Sequence, residues 1–143
     1  MWFKINKLSL NVEKTVFMVF TNAQKKYDSN IVTNKIMLDG KPVVQVQSTR
    51  FLGVHINEHL NWINHIKQVE NKISKTCGIL TKLKHTLQKP VLLSIYNTLF
   101  LPYLHYCAII WAGSSLNKLD RILKIQKRAI RNISQTDSKA HTA

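Results

Sequence analysis

The chain has 143 residues, of which 45% are hydrophobic; that suits one domain, or a small domain with a helical appendage, and excludes a compositionally disordered chain. Lys and Arg number 21 against 7 Asp and Glu, a net charge of +14, which favours a polyanionic partner: nucleic acid first, an anionic membrane surface second. Cys77 and Cys107 form no CxxC pair, so they read as free thiols of a reducing compartment, each a small apolar core residue. Met1, Trp2, Phe3, Lys4 and Lys7 open the chain without a long apolar region or small-residue cleavage site, so no secretory signal is expected. The expected location is intracellular, nucleus or cytoplasm.

Residues 2–10 carry Trp2, Phe3, Ile5, Leu8 and Leu10, compatible with the last turns of a helix that begins upstream. Residues 16–20, VFMVF, are a continuous run of β-formers that predicts a strand buried on both faces. The polar stretch 21–30 reads as a loop. Residues 35–38 and 43–46 flank Asp39-Gly40, which supplies the positive φ angles of a tight hairpin turn; Pro42 marks an edge strand. Residues 50–56 predict a third strand, with Gly53 at a bulge, a bend or a close backbone approach.

Asn61 is placed to cap a helix that starts at Trp62. Trp62, Ile66, Val69, Ile73, Cys77, Leu80, Leu83 and Leu87 then step by three or four, one face of a helix of about seven turns. Lys67, Lys72, Lys75, Lys82 and Lys84 lie off that stripe. Pro90 suits the first position of the next helix.

Residues 91–111 contain no charged side chain and are long enough to span a bilayer. Ser94, Asn97, Thr98, His105 and a central Pro102 favour instead two short buried helices, 91–101 and 103–111, bent at the proline. Residues 113–115 are a break. Residues 116–133 predict a last helix with Leu119, Ile122, Leu123, Gln126, Ala129, Ile130 and Ile133 on its inner stripe. Lys118, Arg121, Lys124, Lys127, Arg128 and Arg131 crowd the remainder. From Asn61 onward there are 13 basic and 3 acidic residues, so the helical half carries most of the charge.

Glu13, Asp28, Asp39, Glu58, Glu70, Asp120 and Asp137 are the acids, and no two are adjacent or spaced to share a metal. Two-metal phosphoryl chemistry needs clustered carboxylates. The four glycines are too scattered for a phosphate-binding loop. His55, His59 and His65, spaced four and six apart with no cysteine nearby, read as solvated or hydrogen-bonded and not as zinc ligands. Trp62, Tyr96, Phe100, Tyr103, Tyr106 and Trp111 are expected in the core, though a tyrosine at a groove edge could meet a sugar or base.

Four segments, taken in order, resemble the reverse transcriptases of non-LTR retrotransposons of the jockey-like type: NKLSLNVEKT (6–15), FLGVHI with LNWINHI (51–66), YNTLFLPYLHYCAIIWAG (96–113) and LDRILKIQKRAIRNI (119–133). The first is similar to polymerase motif D at the end of the palm, the second to motif E, the primer grip; the helical remainder corresponds to the thumb. The resemblance implies that the metal-holding aspartates, the fingers and the first half of the palm belong to sequence before residue 1, and that the chain stops inside a longer region. It implies a fragment that is not catalytic by itself. Lys14 matches the motif D lysine implied to protonate the pyrophosphate leaving group, and Phe51, Leu52 and Gly53 match the primer grip. Without those aspartates, Lys14 in this chain reads as a solvated strand-edge lysine.

The expected fold is therefore α+β: a small antiparallel sheet and palm edge over residues 1–60, then a basic helical bundle, thumb-like, over 61–143. The expected partner is a primer–template or RNA–DNA duplex, together with the missing palm and fingers, and no membrane. Lys67, Lys75, Lys124, Lys127, Arg128 and Arg131 are the candidates for sequence-independent phosphate contacts. No cofactor is expected in the fragment, and Mg²⁺ only in the full-length polymerase. Two rivals stay open: a self-standing basic helical adaptor for protein partners, and a membrane protein built on 91–111.

Overall fold

The structure is a computed structural model that describes residues 5–9, 11–22, 36–113 and 116–136, with side chains from 119 onward in the last segment. It is α+β, as expected, with short strands first and helices after. The chain forms two compact units, Met1–Asn61 and Trp62–Ala143. The start and end of the stretch 2–10, most of the loop 21–30, Lys35, Ser114-Ser115 and the tail from Asp137 lie outside the described residues.

Among the described residues of the first unit the strands make three two-stranded ladders, two antiparallel and one parallel. β1 (Val16–Phe17) pairs in parallel with β4 (Val44–Gln45). It is shorter than the expected strand, and Val16 and Phe20 stay 41% and 57% exposed, so the VFMVF run is not buried on both faces. β2 (Met37–Leu38) and β3 (Lys41–Pro42) form the hairpin predicted from Asp39-Gly40, whose φ angles are 49° and 74°. The Val43 amide donates to the Ile36 carbonyl at 2.8 Å; beyond it the chain leaves this hairpin for β1.

The single strand predicted over 50–56 is instead a second hairpin, β5 (Ser48–Phe51) with β6 (Val54–Asn57). Its turn is Leu52-Gly53, with φ of 46° and 86°: positive φ at both central residues is the signature of the two-residue turn that matches strand twist. Leucine is not a turn residue, which is why the sequence reads as one bent strand.

In the second unit, α1 (Ile63–Leu83) begins after Trp62, not after Asn61. Trp62 takes a left-handed conformation, φ 59°, at the N-cap, and the Asn61 amide donates to Asn57 Oδ1 at 3.0 Å. The helix ends at Leu83, one turn before the predicted Leu87. α2 (Lys89–Leu99) carries Pro90 in its first turn, where a missing N–H leaves no helical bond unmade. The stretch predicted to bend at Pro102 is interrupted just before it: α2 ends at Leu99, Phe100 caps it, and Pro102 sits in the first turn of α3 (Leu101–His105). A second break, not predicted, follows at Tyr106 and Cys107, the latter at φ 52°, before α4 (Ala108–Trp111). No described helix is long and apolar enough to cross a membrane, so the bilayer-spanning reading of 91–111 finds no support. α5 (Leu116–Ser134) closes the unit.

The core is built from the predicted stripe of α1 (Ile66, Val69, Ile73, Cys77, Leu80) packed on Leu92 and Tyr96 of α2, Phe100 at its C-cap, Trp111 of α4, and Ile122 and Ala129 of α5. Ile73, Leu80, Leu92 and Phe100 are fully buried, each worth about 1.5–3 kcal/mol relative to exposure. Tyr96 and Phe100 stack at 4.9 Å. Three buried polar residues, His65, Thr76 and Asn132, were not legible from periodicity. Thr76 donates to the Leu99 carbonyl at 3.1 Å, satisfying an acceptor at the end of α2 that has no helical partner. Asn132 Nδ2 donates to Thr81 Oγ1 at 2.9 Å, and Thr81 in turn donates to the Cys77 carbonyl at 2.8 Å. Gln135 Nε2 donates to the Lys84 carbonyl at 2.9 Å. Thr81–Asn132 and Lys84–Gln135 share one sequence offset of 51 residues, so α1 and α5 run parallel in a fixed register.

Candidate nucleic-acid interface

α5 has one face in the core and one in solvent. Ile122, Ala129 and Asn132 are buried, and Leu119, Ile125, Gln126 and Ile133 half-buried. At about 100° per residue, Lys124, Lys127, Arg128 and Arg131 fall within an arc of about 100° centred opposite that face. The predicted inner stripe was too wide on one side: Leu123 and Ile130 stand 48% and 38% exposed, and Ile125 and Asn132 face inward. Asn132 was missed because its burial depends on a partner, Thr81, on another helix.

The four cations are not equivalent. Lys124 Nζ lies 2.6 Å from Asp120 Oδ2, an exposed i,i+4 pair that offsets its charge and adds little stability. Arg128 is exposed yet flanks the α1 contact: burial pushes the Cys77 thiol up, and the Arg128 charge pulls it the other way. Lys127 and Arg131 are half-buried. On α1, Lys67 and Lys75 are exposed and stand eight residues, about 12 Å, apart along the axis. They project from the outer face of their own helix, so the six cations occupy two helices and not one strip. Lys72, absent from the candidate set, sits 4.7 Å over the Tyr103 ring and ties α1 to α3.

In the first unit, the hairpin tip offers Phe51 and Leu52, 62% and 74% exposed, beside Gly53. Lys14 is exposed at the end of a single 3₁₀ turn, Val12–Lys14, whose start is capped by Asn11 Oδ1 accepting from the Lys14 amide at 3.1 Å. It is therefore a turn residue before β1 and not a strand-edge one. His59 bonds Thr21 through Nδ1, 3.2 Å to the hydroxyl and 3.1 Å to the carbonyl oxygen, and lies 3.5 Å from Glu58. His65 packs edge-on against Trp111 at 5.6 Å. Among the described residues no three His, Cys, Asp or Glu side chains converge to hold a metal ion. The Mg²⁺ implied for a full polymerase thus has no ligand set among the described residues.

Sequence reasoning missed one further feature. A concavity of about 440 Å³ opens between the α3–α4 segment and α5, with Leu104, Trp111, Leu119, Ile122, Leu123 and Gln126 on its walls. Three helices contribute to it, so no single periodicity announces it.

No family model matches the chain, and no solved structure matches it. The chain is 33% identical over 99 residues, 67% of its length, to the "Retrovirus-related Pol polyprotein from type-1 retrotransposable element R1 4" of Nasonia vitripennis. The matched region covers 25% of that relative, so the chain spans about a quarter of its length. The likeness supports a region derived from a non-LTR retrotransposon.

Proposed function

We propose that this chain is a piece of an RNA-directed DNA polymerase that positions primer–template and performs no nucleotide transfer alone. The observation that carries the reading is the division of α5, a core face opposed by a cationic arc, in a chain similar to a retrotransposon Pol polyprotein. A helix anchored this way offers Lys127, Arg128 and Arg131 to the evenly spaced phosphates of a duplex without reading bases. Lys124 contributes less while Asp120 holds it, and Lys67 and Lys75 add charge from α1. In the first unit, the Leu52-Gly53 turn is the primer-grip candidate. Its bare glycine lets a sugar–phosphate backbone come close, and Phe51 and Leu52 offer apolar surface beside it. Lys14 has a role in leaving-group protonation only in a complete polymerase.

The test is a fluorescence-anisotropy titration against an RNA–DNA hybrid at several salt concentrations. Each phosphate contact releases condensed counterions, so replacing Lys127 and Arg131 by Gln should flatten the log–log salt slope by roughly 1 per contact and weaken all sequences alike. Unchanged affinity and slope in a folded double variant remove α5 from the duplex surface.

A further inference from the structure

The α2–α4 region carries an exposed apolar surface that the duplex reading does not use. Residues 91–111 hold no charged side chain, and Tyr106, Ile109 and Ile110 are 50%, 100% and 53% exposed. Phosphates gain nothing from apolar side chains, and large exposed apolar surface marks protein or membrane contacts. The concavity between α3–α4 and α5 has a buried floor, Trp111 and Ile122 at 3% and 7% exposure, and exposed side chains at its rim, Leu123 the apolar one among the large side chains.

On α5 that rim adjoins the cationic arc. Leu119, Leu123 and Ile130 lie within an arc of about 40°, and Lys127 follows about 40° beyond Leu123. The apolar stripe Leu119–Ile130 and the basic stripe Lys124–Arg131 therefore run side by side for about 9 Å, some two helical turns. Asp120, the only acid on the walls of the concavity, is paired with Lys124. The complementary ligand is apolar on one side and anionic on the next.

We propose that the concavity between α3–α4 and α5 is a docking site for an acidic amphipathic helix of a protein partner. Its apolar residues enter over Trp111 and Ile122 against Leu123, and its carboxylates meet Lys127 and Arg131. Helix-in-groove recognition uses anchors at i, i+3, i+4 and i+7 and needs a concave seat, which this site supplies. A lipid surface is flat and would leave the concavity unfilled. A second copy of this chain would bring a like charge of +14 to the same place. The proposal does not depend on duplex binding. If a duplex also uses Lys127 and Arg131, the two ligands compete.

The probe is a fluorescein-labelled peptide of about 18 residues, some five turns, with leucines at helical spacing flanked by glutamates. One control carries serines for the leucines, and another lysines for the glutamates. Expected by anisotropy is saturable binding of the acidic amphipathic peptide and much weaker binding of both controls. Leu123→Ser, at an exposed position, should weaken the peptide about tenfold and leave hybrid affinity unchanged. Leu123→Met should restore it. Lys127→Glu should weaken the acidic peptide and strengthen the lysine version. Equal binding of the serine control, or no effect of Leu123→Ser, overturns the proposal, because charge alone would then suffice. Sedimentation with phosphatidylglycerol vesicles that depends on Leu123, with no peptide binding, overturns it in favour of a membrane surface.

Discussion

Leu52 is held at φ 46°, a conformation that costs a side chain with a Cβ about 1–2 kcal/mol, and it is 74% exposed with little packing to compensate. Asparagine tolerates this conformation, and Asn-Gly is the favoured pair for this turn. Leu52→Asn should therefore recover about 1 kcal/mol, which lowers the local opening equilibrium of the β5–β6 hairpin about fivefold. Gly53→Ala, at φ 86°, should move the other way by about 1 kcal/mol or more. Native-state amide hydrogen exchange along β5 and β6 reads both, with protection rising in the first variant and falling in the second. The same proteins are then titrated with the RNA–DNA hybrid. If the strained leucine is kept for contact with a primer end, Leu52→Asn binds the hybrid more weakly although its hairpin is more stable. Lower or unchanged protection in Leu52→Asn refutes the strain assignment. Raised protection with unchanged hybrid affinity refutes the link between strain and binding.

Primer extension on an RNA template, with Mg²⁺ or with Mn²⁺, should give no product above a buffer blank, because the seven acids are dispersed along the sequence; robust extension by the pure chain would sink the proposed function. Phe100→Ala removes a fully buried ring stacked on Tyr96 and should cost about 3–5 kcal/mol, seen as early loss of helical circular dichroism on heating; a loss under about 1 kcal/mol would mean that the ring is not in the core. Burial, opposed by Arg128, raises the Cys77 thiol above the ordinary 9.0. The unfolded chain then gives up this proton first as pH rises, so the stability linked to Cys77 is complete below about pH 9 and is lost as pH climbs toward the raised folded value. Cys77→Ser should flatten that alkaline decline in denaturant titrations, and an identical pH profile in the variant would show that the thiol does not contribute.

What was legible in the sequence was what one element decides for itself. The α1 stripe from Ile66 to Leu80 and the Asp39-Gly40 turn follow from local spacing, and the structure keeps them. The cationic arc of α5 was equally legible, since its geometry needs only one helix. Features that need a partner distant in sequence were not. The parallel pairing of Val16 with Val44, the burial of Asn132 against Thr81 and the three-helix concavity all fall in that class. Leu52 and Cys107 adopt left-handed conformations that their side chains do not advertise. Pro102 told half of its story. A proline disfavours helix just before it and fits the first turn of a new one, so the break at Phe100 was legible, whereas the second break at Tyr106 and Cys107 carries no such mark.

The common offset of Thr81–Asn132 and Lys84–Gln135 acts as a mechanical lock between two rods. Sliding α5 along α1 by one helical turn, about 5.4 Å, would break both bonds at once and pull Asn132 out of its seat. A force applied at Lys127 or Arg131 is thus transmitted to α1 without slip. Whatever grips the outer face of α5, phosphates or carboxylates, moves the two helices as one lever, and any bending has to be taken up where the rods end.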